Sequence, residues 1–399
     1  VKLSPEAIVN SPLLTPWTDP VTGVVSHLLS PAAAPLQQSF YYTNPSFSAD
    51  GRYLWFYCAF PPGGKANFGR SLGVADFLTG EIRHFPETLF LDASPMVDPA
   101  TAEVYWATGD TIWKRGPEPD APCVLVNKLP ATLTNERSPW RLATHLTVSA
   151  DGRNLGIDVT LGRETHLGHA PLNGDPVEIW QTVHAGFNHA LCSPTDPDLM
   201  LVAQDSYVDV VTGEIQRFDN RMWLIRRGGK AAPIYTGGGT GEKILAHSTH
   251  QDAPPQEVED GPRMHGHEWW GADGRSVWFV HYGHGVKNVD LATRREELVW
   301  PFRPVSHAHC NAAGTLVVGD AQPPAQRDYS KVKFFNRASG RETDVISHVP
   351  HPDPGLKPYH VHPHPQFCLD DQFICHTTTV RGRVDVALTR VDELVAKTA

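Results

Sequence analysis

His267-Glu268-Trp269-Trp270-Gly271-Ala272-Asp273-Gly274-Arg275-Ser276-Val277-Trp278-Phe279-Val280 places a histidine, a tight polar turn and a short apolar strand in a row. Turn and strand together occur seven times along the chain. The other units are Asp50-Gly51-Arg52 into Tyr53-Leu54-Trp55-Phe56, Ala100-Thr101-Ala102 into Val104-Tyr105-Trp106, and Asp151-Gly152-Arg153 into Leu155-Gly156-Ile157. They continue with Asp196-Pro197-Asp198 into Leu199-Met200-Leu201-Val202, Ala313-Gly314 into Leu316-Val317-Val318, and Asp370-Asp371 into Phe373-Ile374-Cys375. In five of the seven a histidine precedes the pivot, by six residues at His145, His267, His307 and His364 and by seven at His189. A repeat of about 50 residues made of strands and Gly/Asp turns predicts an all-β chain folded as a seven-bladed β-propeller. Each blade's strand before the turn is then innermost, so residues at one shared position meet around the central channel.

The rest of the chain agrees with one large β-domain spanning 1–399. Its 35 Pro and 33 Gly break up helical periodicity, and only Val391 to Lys397 reads as a short closing helix. No window approaches the ~20 apolar residues of a membrane helix. The segment from about 228 to 263, with Gly237-Gly238-Gly239 and Pro254-Pro255, reads as a long loop insertion on the propeller face. The opening Val1-Lys2-Leu3-Ser4-Pro5 shows no charged lead into an apolar run, so a cytoplasmic location is expected. Six cysteines without a Cys-x-x-Cys pair sit mostly in strand-like runs and are expected to be free thiols. A net charge of −10 without a Lys/Arg block argues against nucleic acid and anionic membranes as partners. The densest basic stretch, Arg217, Arg221, Arg226 and Arg227, offers local positive charge to a small anion.

The richest chemical cluster is Tyr359-His360-Val361-His362-Pro363-His364-Pro365. In an extended strand alternate side chains share a face, so His360, His362 and His364 are expected together, and two or three imidazoles at that spacing close on one metal. His307, from the inner strand of the preceding blade, completes the set. His145 and His189 are expected to line the same mouth, where they either bind a ligand's polar groups or satisfy backbone groups. Trp269, Trp270 and Tyr282 either stack on a ligand or pack between blades. For His267 the plain alternative is a buried histidine bonded to Glu268 or to backbone.

Met264-His265-Gly266-His267-Glu268-Trp269-Trp270 before its Asp-Gly turn, Ser306-His307 with Asn311 and Gly314 leading to Val318-Gly319-Asp320, His362-Pro363-His364-Pro365 and Arg221-Met222-Trp223-Leu224 occur in an order that resembles the oligogalacturonate lyases. The resemblance is clearest from about Phe187 to the C-terminus. It implies a seven-bladed propeller that binds a divalent metal, typically Mn2+, and acts on anionic oligosaccharides. It implies further that His307, His362 and His364 hold the metal, that His267 is the general base and that Arg221 meets the substrate carboxylate; Arg217, from the same basic stretch, is expected to help bind the substrate. The family's fourth ligand is a glutamine three residues before the His-Pro-His pair, and Tyr359 stands there in this chain. His360, Tyr359 itself or a water takes that place. The family's His-Glu-Gly-Pro loop is replaced by Ala203-Gln204-Asp205-Ser206, which bears on the identity of the uronide.

The expected chemistry is β-elimination on short uronic-acid oligosaccharides. The proton on C5 lies next to a carboxylate whose negative charge resists its removal, so a cation and an arginine must neutralise that carboxylate while a histidine takes the proton. A lyase for another uronide, such as a glucuronate-containing oligosaccharide, and a non-catalytic sugar- or metal-binding propeller are the alternatives.

Overall fold

The structure, a computed structural model, describes residues 2–209, 211–236, 241–246, 256–321 and 329–399. Each of the seven turns leads into a strand, and in the Asp-Gly form the reason is local. The Asp50 carboxylate accepts from Ser48 Oγ at 2.7 Å and Arg52 N at 3.0 Å, while Gly51 takes φ 74°, a left-handed conformation costly for a side chain. Asp151 and Gly152 repeat this turn. A second repeated turn, Asp-x-x-Thr-Gly, closes hairpins at Asp19, Asp76 and Asp209, each carboxylate accepting the amides two and three residues on.

Among the described residues seven sheets form the blades. Blades 1, 2, 4, 5 and 6 hold as their second strand Tyr53–Ala59, Val104–Thr108, Leu199–Asp205, Ser276–His281 and Leu316–Ala321, while the three-stranded sheet of blade 3 begins with Asn154–Leu161. Blade 7 joins the two ends of the described chain: Gln366–Cys368, Phe373–Thr378 and Asp385–Arg390 are continued by Val25–Leu29 and Leu14–Thr18, with Ser26 opposite Thr389. Apolar clusters fill the wedges between neighbouring blades. Leu201 and Met222 of blade 4, for example, meet Val277, Phe279 and Val289 of blade 5. Phe279 is fully buried there, so Phe279→Ala is expected to cost about 3–5 kcal/mol, measured as a lower denaturant midpoint at unchanged slope.

The inner strands are less regular than alternation predicts, and their irregularities sit at the histidines. Pairing slips between Asn188 and Leu191 in blade 4, Gly266 and Trp269 in blade 5, and Val305 and Ala308 in blade 6. Each bulge carries one histidine: His189 at φ 54°, His267 at φ 47°, and His307. A bulge re-aims a side chain out of the pleat, here toward the channel. In blade 7 the expected extended strand over His360, His362 and His364 is not formed. Pro354–Tyr359 is a 3-10 helix, His360 and His364 have φ 51° and 43°, and the strand begins only at Gln366. Pro363 and Pro365 lack the N–H that a ladder needs, which explains the departure.

The segment 228–263 is not all loop. Ala232–Pro233 adds an outer strand to blade 4, and Lys243–Ala246 pairs with Gln256–Glu259 as a hairpin. Gly237-Gly238-Gly239 and Pro254-Pro255 lie outside the described residues. The helix Val391–Lys397 is present and buries Val391 and Leu394 in the wedge between blades 6 and 7. The six cysteines are free thiols, and no helix among the described residues is long and apolar enough to cross a membrane.

Candidate functional site

Blades 6 and 7 bring three imidazoles together. The ligand nitrogens of His307, His362 and His364 lie within 4.8 Å of one another, close enough for one cation at roughly 2.1 Å from each after small rotations. His307 and His364 stand edge to face with ring centroids 4.3 Å apart, and Nε2 of the buried His364 has no hydrogen-bond partner among the described residues. Burial and the neighbouring His307 and His362 rings hold the His364 imidazole well below its usual range, in the neutral form that a metal requires.

Asp320, in the second strand of blade 6, organises this triad. Both its carboxylate oxygens lie 3.0 Å from His307 Nδ1, while Oδ1 accepts His307 N at 2.9 Å and Oδ2 accepts His364 N at 3.1 Å. Nδ1–H of His307 therefore points at the carboxylate and leaves Nε2 for a metal, the arrangement in which a carboxylate behind a ligand histidine fixes its tautomer. One side chain thus positions ligands from two blades. Asp320→Asn is expected to weaken metal binding roughly 10–100-fold in a titration of the chelator-treated protein. The donor set fits a divalent cation.

His360 and Tyr359 fall differently around this centre. The His360 ring lies 4.0 Å from His362 and 5.8 Å from His364, so it borders the triad. Tyr359 is buried in an apolar cluster with Leu36, Ala59, Val361 and Val384.

His267, from the blade 5 bulge, stacks beside the triad with its ring centroid 4.0 Å from that of His307. Its Nδ1 donates to the Ser306 carbonyl, and the Tyr282 hydroxyl is 3.0 Å from the same nitrogen. A carbonyl partner can only accept, so the proton is on Nδ1 and Nε2 carries a free lone pair. Burial, with the neighbouring His307, keeps the ring neutral. The backbone bond expected of a structural histidine is present, and it also prepares the ring as a base. Gly266 makes room for this: a Cβ there would stand 2.5 Å from the Tyr282 hydroxyl.

Next to His267 a fully buried carboxylate, Glu268, links two further residues. His189 Nδ1 lies 3.1 Å from Glu268 Oε1, and Arg221 Nε lies 3.5 Å from Oε2. Burial alone would raise this carboxyl, but the Arg221 charge and His189 bring it down to about 2. Arg221 Nη1 also meets Asp205 Oδ2 at 2.9 Å, so its charge is already compensated within the chain. Asp205 is half exposed and borders a cleft of about 700 Å³ lined by Trp140, Arg163, Asn188 and Tyr207. His145 stacks on Tyr41 at 4.4 Å and meets His189 edge-on at 4.8 Å.

Tyr41 and Tyr42 are buried among the histidines. Tyr41 lies 5.0 Å from His364 and 5.8 Å from His189, and Tyr42 lies 6.3 Å from His267, ring to ring. Their position before the first Asp-Gly turn does not match the histidine register, so the repeat gave no signal for them. Arg217 is exposed after the hairpin strand Ile215–Gln216 and, among the described residues, makes no hydrogen bond or ion pair with the cluster. Arg226 and Arg227 pair with Asp196 and Glu178 at the surface. Trp269 packs in the wedge between blades 5 and 6, and Trp270 Nε1 donates to the Leu191 carbonyl at 2.9 Å.

No family model matches the chain. In sequence it is similar to an oligogalacturonide lyase of Pectobacterium atrosepticum, 26% identical over 224 residues, and to an oligogalacturonate lyase of Dickeya dadantii, 27% identical over 224 residues. Each match takes in 47% of this chain and 55% of the relative, so the chain spans about half the length of the curated relatives it matches. In fold it is similar to an oligogalacturonate lyase solved in complex with manganese, with TM-score 0.72 and 18% identity over 96% of this chain and 97% of that one. An oligogalacturonate lyase from Vibrio parahaemolyticus gives TM-score 0.71 and 18% identity over 95% and 96%. These structural likenesses establish the seven-bladed propeller.

Proposed function

We propose that this chain, which shares the fold of the oligogalacturonate lyases and is related to them in sequence, is a metal-dependent lyase that cleaves short uronic-acid oligosaccharides by β-elimination. The observation that supports this most is the pairing of His267 with His307: a neutral imidazole with a free Nε2 stands ring to ring at 4.0 Å from one of three converging ligand histidines. A base next to a cation site is what the C5 proton of a uronate demands.

His307, His362 and His364 hold the cation. When bound it supplies positive charge that draws in the substrate carboxylate and stabilises the enolate-like charge of the transition state. Imidazole sites accept several first-row cations, and Mn2+ is the choice here because the solved lyase of similar fold holds manganese. His267 Nε2 takes the proton from C5. The C5–H electron pair becomes the C4–C5 double bond, the C4–O bond breaks, the departing sugar oxygen takes a proton from water, and His267 gives its proton back to the solvent. His189, held by Glu268, and His145 border the space where sugar hydroxyls bind. Arg221 meets a substrate carboxylate by exchanging it for the half-exposed Asp205, which makes anion binding an exchange of one carboxylate for another.

The test is an ultraviolet assay for unsaturated uronate, run on digalacturonate and on glucuronate-containing oligosaccharides with metal-loaded and chelator-treated protein. Product from digalacturonate that disappears with chelator and returns with Mn2+ is expected. Product from another uronide alone would move the substrate assignment. No unsaturated product from any uronide, with metal bound, would make the chain a binding protein.

A further inference from the structure

A second constellation of metal-ligand type stands on the far side of Tyr282. Asp260 follows the hairpin strand Gln256–Glu259, and His281 and His284 flank the turn between Ser276–His281 and Gly285–Asp290. His281 Nε2 lies 2.7 Å from Asp260 Oδ1 and His284 Nε2 lies 3.1 Å from Oδ2, so each carboxylate oxygen faces a different imidazole through the same ring nitrogen. The two rings are 4.2 Å apart, and the three ligand atoms lie within 4.8 Å of one another. We infer that Asp260, His281 and His284 form a second divalent-cation site, of the two-histidine, one-carboxylate type suited to Zn2+, separate from the histidine triad of blades 6 and 7.

Three further features support it. Asp260 and His281 are buried, while His284 is about one-third exposed, so the site is closed on the protein side and keeps one position open to solvent. Among the described residues no lysine or arginine pairs with the buried Asp260 carboxylate, which faces only the two imidazoles. The turn is also rigidly shaped: Gly283 and Gly285 adopt φ 86° and 137°, and a Cβ on Gly285 would stand 2.1 Å from the Trp300 carbonyl oxygen. Neighbouring ligand atoms around a cation at ~2.1 Å are roughly 3 Å apart, and the two carboxylate–imidazole contacts, 2.7 and 3.1 Å, match this. Such an ion ties the hairpin-bearing segment to the turn whose first residue, Tyr282, touches His267. Its role is structural.

The experiment uses the full chain with the first centre removed. Chelator-treated His362→Ala/His364→Ala protein, checked for fold by circular dichroism, is titrated with Zn2+ against a chromophoric competitor and analysed for bound metal. One retained equivalent is expected, with affinity falling at least tenfold when His284→Ala is added. Loss of all binding in the double variant, or binding indifferent to His284→Ala, overturns the site whether or not the first centre binds metal. Should the double variant not fold, His284→Ala alone decides: one equivalent fewer than the parent supports the site, and unchanged stoichiometry and affinity overturn it.

Discussion

His267→Ala is expected to lower the formation of unsaturated product by roughly 10²–10⁴-fold or more, the contribution of a positioned general base, while the triad's metal stays bound. The separation of these two readouts follows from the geometry. His267 belongs to blade 5 and takes its orientation from the Ser306 carbonyl and Tyr282, whereas the ligand set belongs to blades 6 and 7 and takes its orientation from Asp320. Removing the imidazole deletes the lone pair without touching the carboxylate that aligns the ligands. Metal content by elemental analysis, beside the ultraviolet assay, checks both halves. A variant that keeps most activity would remove His267 from the role of base, and one that loses its metal would show the two sites to be a single unit.

His364→Ala is expected to give the complementary result, loss of the triad's metal together with activity. Nε2 of His364 is a buried nitrogen without a hydrogen-bond partner among the described residues, and its backbone amide is one of the groups gathered by Asp320. Truncation removes one of three ligands and opens a gap beside Tyr41. The drop in affinity should exceed the roughly 10–100-fold expected for Asp320→Asn, which leaves all three ligands in place. Metal titration of the two variants side by side measures the difference. Equal affinities would mean that His364 is a bystander.

Much of this was legible in the sequence because the propeller repeats its chemistry. A tight turn followed by an apolar strand marked every blade, and a histidine six or seven residues before the turn's pivot marked the channel lining of five. The two blades without a histidine carry Asn44 and Ser94 six residues before the pivot. Asn44 spends its amide on the Ala93 and Pro95 carbonyls, and Ser94 accepts from Ala107 N, so that side of the ring is structural.

What the sequence did not reveal depends on partners far along the chain. Bulges at His189, His267 and His307 arise from how an inner strand pairs with its neighbour, and strict alternation of side chains misplaces residues there. At His360 to His364 two prolines defeat the strand pattern, and the imidazoles meet by another path. Arg221 reads as a free cation in a basic stretch, but Glu268, 47 residues away, and Asp205 already neutralise it. Tyr41 and Tyr42 reach the histidines from positions out of register with the repeat. The Asp-x-x-Thr-Gly turns were readable and would have fixed three further hairpins.

Blade 7 gives the triad a consequence beyond chemistry. That blade contains strands from both the amino-terminal and carboxy-terminal parts of the chain, and His362 and His364 precede its first strand while His307 stands across the wedge in blade 6. An ion gripped by all three is a rivet at the seam of the ring. Saturating it at a hundred times its dissociation constant would stabilise the closed form by about 2.7 kcal/mol. Hydrogen exchange in Val25–Leu29, far from any sugar, should therefore slow as the ion is added.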